Sequence, residues 1–110
     1  MTPKENRDQS LSRVISEMGE TIRRQARSRW EGVRTAERNE GGRHVWRFQS
    51  GGDSERFLHV SRRAMTEGDD PAGTLLKQLG KAQWLDRLQE GPENAFVLSP
   101  AGRLRPWPRQ

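Results

Sequence analysis

With 110 residues, 30% of them hydrophobic and 32% charged, the chain has material for one domain and a lean core. It contains no cysteine, which excludes a disulfide framework and a thiolate metal site, and no apolar run approaches the roughly 18 residues of a membrane span. The net charge is +5, which the pI of about 10.9 overstates, because 17 of the 20 basic residues are Arg and hardly deprotonate.

That charge is unevenly spread. Seven basic residues stand against four acidic ones in 1–30, seven against five in 31–63, three against five in 64–90, and three against one in 91–110. A basic surface is therefore expected on the first helix, the sheet and the tail. Met1 to Glu5 lack the apolar core of a signal peptide, so the expected location is cytoplasmic.

Thr2-Pro3-Lys4-Glu5 has the form of a capping box with Pro at the first helical position, and Ser10 offers a second cap. Leu11, Val14, Ile15, Met18, Ile22 and Ala26 then recur on one helical face. A helix from Ser10 to Arg29 is expected, preceded by an extension over 1–9 that is flexible or helical. On its outer face Arg13 with Glu17, and Glu20 with Arg24, stand four apart and can pair.

Trp30-Glu31-Gly32 ends this pattern, and Val33 to Glu37 reads as a weak strand followed by a turn at Asn39-Glu40-Gly41-Gly42. The strongest β signal comes next. His44 to Phe48 and Phe57 to Ser61 flank the loop Ser50-Gly51-Gly52-Asp53-Ser54, which predicts a hairpin. With Trp46 opposite Leu58 and Phe48 opposite Arg56, alternation puts Trp46, Phe48, Leu58 and Val60 on one face and Val45, Arg47, Phe57 and His59 on the other. A slip of one residue would turn Leu58 and Val60 away from the aromatics, so burial favours this register.

Ser61 to Thr66 can form a helical turn, and Asp70 followed by Pro71 is a helix start. Ala72, Leu75, Leu76, Leu79 and Ala82 share one helical face, whereas Trp84, Leu85 and Leu88 point to the opposite side. A straight helix would expose one of these sets, so a break or strong bend near Gly80 is expected, the alternative being one helix between the sheet and a partner chain, with its second face an interface. Gly91-Pro92 closes the region. Ala95 to Leu98 and Arg103 to Arg105 surround Ser99-Pro100-Ala101-Gly102, a β-turn pattern, and residues 106–110 read as an extended tail because neither of its prolines can donate to a ladder.

The expected fold is thus a single α+β domain over 10–105. A long N-terminal amphipathic helix and a second, broken helical region pack on a mainly antiparallel sheet of about four to five strands.

Little in the chain resembles catalytic machinery. His44 and His59 fall on opposite faces of the hairpin and cannot act together, and His59 beside Arg47 and Glu55 reads as an ordinary sheet histidine. Asp69 and Asp70 lack further ligands at calcium-loop spacing, and the glycine pairs lack the Gly-Lys-Ser/Thr ending of a phosphate loop. No enzyme activity, cofactor, metal or small-molecule substrate is expected.

Two binding readings remain. Arg23, Arg24, Arg27 and Arg29 on helix one, Arg43 and Arg47 on the hairpin, and Arg62 and Arg63 after it supply guanidinium forks for the phosphates of DNA or RNA, with Phe57 as a ring beside Arg47. Trp84, Leu85 and Leu88, joined by Trp107, supply an aromatic patch for a protein partner or a homodimer. The order helix, three strands, helix is similar to that of double-stranded-RNA-binding domains, but Asp69-Asp70-Pro71 stands where those carry a lysine-rich phosphate clamp, so no family is assigned.

Overall fold

A computed structural model describes residues 3–50, 54–90, 95–99 and 103–106. The chain runs α1 (Pro3–Arg29), β1 (Arg34–Glu40), β2 (Arg43–Ser50), β3 (Ser54–Ser61), a 3-10 turn (Ala64–Thr66), α2 (Pro71–Ala82), α3 (Trp84–Glu90), β4 (Ala95–Leu98) and β5 (Leu104–Pro106). The five strands form one sheet in the order β1-β2-β3-β4-β5. All neighbours are antiparallel except β3 and β4, which run parallel because the helical connection between them returns the chain to the same end. This is the expected α+β architecture.

The central hairpin adopts the expected register, with Trp46 opposite Leu58 and Phe48 opposite Arg56. Trp46, Phe48, Leu58 and Val60 are buried against the helical layer together with Met18, Ile22 and Ala26 of α1 and Leu75 and Leu79 of α2. Ile15 is partly buried against the same cluster. Across the core Phe48 touches two indoles, with centroids 5.9 Å from Trp30 and 5.6 Å from Trp84. Such tilted ring pairs add to simple burial. Gly19 lies where α1 crosses Trp46: a Cβ there would sit 3.3 Å from the indole Nε1 and 2.8 Å from the Arg23 guanidinium. The missing side chain lets helix and sheet approach.

Several boundaries differ from the sequence reading. Helix α1 already begins at Pro3, and β1 covers Arg34–Glu40 rather than Val33–Glu37, because its register with β2 carries it to the two-residue turn Gly41-Gly42. Both glycines have positive φ, as a tight hairpin turn matching the strand twist requires. The second helical region breaks as expected, three residues past Gly80, at Gln83. Gln83 is left-handed at φ 55°, its N–H reaching the Gly80 carbonyl, while Gly80 stays helical and exposed. Asp70 caps α2 by accepting from the Gly73 N–H at 3.1 Å. Pro106, expected in the extended tail, instead completes β5, paired with Phe96 on the sheet edge. Thr2, the Gly51-Gly52-Asp53 loop, Gly91-Pro92, the turn at Pro100-Ala101-Gly102 and Trp107 lie outside the described residues.

Candidate nucleic-acid interface

The described helices pack on one side of the sheet, so the other side is built by strand alternation alone. The register places Arg34 and Arg38 of β1 there, with Arg43 and Arg47 of β2, Phe57 and His59 of β3, Val97 of β4 and Arg105 of β5. Five arginines from three strands thus surround a small apolar centre. Glu40 and Glu55 share the face: Arg38 Nε lies 2.9 Å from Glu40, and Arg47 lies 2.5 Å from Glu55.

The centre is unusually well covered for a face without a helix. Arg38 is opposite Val45, yet its guanidinium stands 5.9 Å from the centroid of Phe57, one strand further on. Its stem therefore spans β2, whose outward-facing Val45 is only 1% exposed. A cation above a ring face at this distance is attracted by the ring quadrupole. His59 is 4% exposed on the same face, and its pKa is lowered by burial first and then by Arg43, with Arg38 adding to the effect and Glu40 opposing it. Its charged neighbours belong to the β1–β2 hairpin, whereas the sequence suggested Arg47 and Glu55. His44 is on the inner face, where Nε2 lies 2.9 Å from Glu37 and the ring meets Trp46 edge-on. The two histidines are separated by the sheet.

The expected arginine set is divided between the two layers. Arg43 and Arg47 lie on the outer sheet face, whereas the helix-one arginines belong to the helical layer. Arg23 donates to Glu37 at 2.7 Å, joining α1 to β1, and Arg29 pairs with Asp86 of α3. Arg24 and Arg27 are exposed, and neither helical pair expected from spacing, Arg13 with Glu17 or Glu20 with Arg24, closes among the described residues. The helix-one arginines that do pair, Arg23 and Arg29, use carboxylates of other elements. Arg62 is half-buried with its backbone N–H on the Gly42 carbonyl, and Arg63 pairs with Glu67 at 3.4 Å. Arg34, Arg38 and Arg105 were missed by the sequence reading, although counting every second residue along β1 from its turn would have found two of them.

The aromatic patch proposed for a protein partner needs correction. Trp84 and Leu88 are each 2% exposed and Leu85 packs against the same cluster, because the turn at Gln83 rotates α3 until this face meets the core. Among the described residues no group of three or more His, Cys, Asp or Glu converges as a metal site, and no helix is long and apolar enough to cross a membrane. A mixed-charge concavity of about 450 Å³ separates α1 from the loop before α2, with Arg13, Glu17, Asp69 and Asp70 on its walls. No known protein family, curated protein or solved structure matches this chain.

Proposed function

We propose that the protein is a small, non-catalytic, cytoplasmic nucleic-acid-binding domain that contacts its ligand with the outer face of the sheet. One observation carries the reading: arginines from β1, β2 and β5 ring an aromatic side chain on the side of the sheet away from the helices. Guanidinium forks bind phosphate oxygens in two-point geometry, and a ring among them offers a base a stacking surface. Carboxylates at Glu40 and Glu55 hold two of the arginines in place, and an incoming phosphate competes for them. Affinity is accordingly modest and sensitive to salt.

The test is fluorescence anisotropy with generic single- and double-stranded DNA and RNA over a salt series. Binding should weaken as salt rises, and the joint substitution Arg34→Gln with Arg38→Gln should lower the logarithmic salt slope by about 1–2. Absence of binding to all four ligands at low salt would discard the reading. A mass that rises with protein concentration, in the same absence, would give the face to a protein partner or a second copy instead.

A further inference from the structure

We infer that the cleft between the end of α2 and strand β5 is a phosphate-binding site, gripping one backbone phosphate of a polynucleotide that crosses the sheet face and leaves it at β5. This rests on the nucleic-acid reading above and adds a second contact region to it. The cleft is an open concavity of about 420 Å³ walled by Lys81 of α2, Arg87 of α3, and Arg103 and Arg105 beside and within β5, with no carboxylate among the described residues that line it. Four cations converge from distant parts of the chain.

Five arginines elsewhere provide a contrast. Arg23, Arg29, Arg38, Arg47 and Arg63 each stand against a Glu or Asp. In the cleft, Arg87 donates to the Leu104 carbonyl at 2.8 Å and lies 5.5 Å from the Phe96 ring centroid, neither of which neutralises it. A carbonyl takes one of its five N–H donors, so the side chain is held in place with donors to spare. The helix macrodipole accounts for Lys81 near the end of α2, and edge protection accounts for charge on β5. Neither accounts for the two meeting in one concavity. Gln78 adds a neutral polar group, its Oε1 buried without a hydrogen-bond partner among the described residues.

Geometry joins the cleft to the sheet face. Arg105 belongs to both, by alternation on the outer side and by position on the cleft wall. Strands about 4.8 Å apart put β5 roughly 14 Å from β2, a distance one extended strand of nucleic acid can cover. Such a path passes over Phe57 and Val97 before reaching the cleft.

The experiment uses the full chain with Lys81→Gln and Arg103→Gln together, both exposed and neither in an ion pair among the described residues. A thermal melt by circular dichroism confirms that the variant folds. Anisotropy with a labelled 20-nucleotide single strand should then show affinity reduced about tenfold at low salt and a salt slope lower by about 0.7, the loss of one phosphate contact. Unchanged affinity in this variant, with weakened binding in the Arg34→Gln, Arg38→Gln variant, would overturn the cleft and leave the sheet face standing. Weakening in the cleft variant alone would keep the cleft and discard the sheet face. No binding by the unmodified chain would overturn both.

Discussion

The indole N–H of Trp84 donates to the Oε1 of Gln25 at 3.0 Å, linking α3 to α1 across 59 positions of sequence. The ring itself lies against Phe48, so this tryptophan closes the helical layer over the sheet. Trp84→Ala should cost about 3–5 kcal/mol, read as a lower urea midpoint at unchanged slope. Trp84→Phe should retain the fold at a smaller cost. A loss below 1 kcal/mol for the alanine variant would mean that the ring is not part of the core.

Gln83 separates α2 from α3 in a left-handed conformation that a side chain opposes. Gln83→Gly should therefore stabilise the protein by about 0.5–1 kcal/mol, the strain removed exceeding the added freedom of the unfolded chain. Gly80 is helical, with open space where a Cβ would sit, so Gly80→Ala should stabilise by roughly 1 kcal/mol. Thermal denaturation reads both changes. Destabilisation by Gly80→Ala would move the break back to Gly80.

Gly19 provides the close approach between α1 and Trp46. Gly19→Leu would drive a branched side chain against the indole and displace Arg23 from Glu37, and should cost about 1–3 kcal/mol despite better helix propensity. Gly19→Ala should fall near zero, since the nearest atom is the movable tip of Arg23. Urea titration of the two variants side by side checks the difference.

His59 predicts a pH dependence. Its folded pKa is depressed below 6.5, chiefly by burial, so as pH falls the unfolded chain takes up a proton before the folded one. Stability from this residue is complete above about pH 6.5 and declines as pH drops from there toward the folded value. His59→Gln should flatten that decline in urea midpoints measured between pH 7 and 5. An unchanged profile would show that the histidine does not titrate differently on folding.

Much of the architecture was legible in the chain. The 3.6-residue recurrence from Leu11 to Ala26 and the alternation around Trp46 and Leu58 each fix a buried face through local geometry, and the two faces meet as expected. Asp70-Pro71 and Gly41-Gly42 were readable for the same reason: caps and tight turns depend on a few adjacent residues. The site was less legible. Spacing along α1 predicted pairs between its own residues, while the folded chain gives Arg23 to Glu37 and Arg29 to Asp86.

The sequence by itself determined which residues turn toward oil and which toward water within each helix and strand, because backbone periodicity acts over a few residues. Only the tertiary structure decided that α3 would turn Trp84 and Leu88 inward and that the arginines would be divided between two layers. It also brought Lys81 and Arg87, from a segment rich in acids, beside Arg103 and Arg105. Burial and charge clustering are sums over neighbours in space, and the parallel return of β4 beside β3 makes neighbours of residues far apart along the chain.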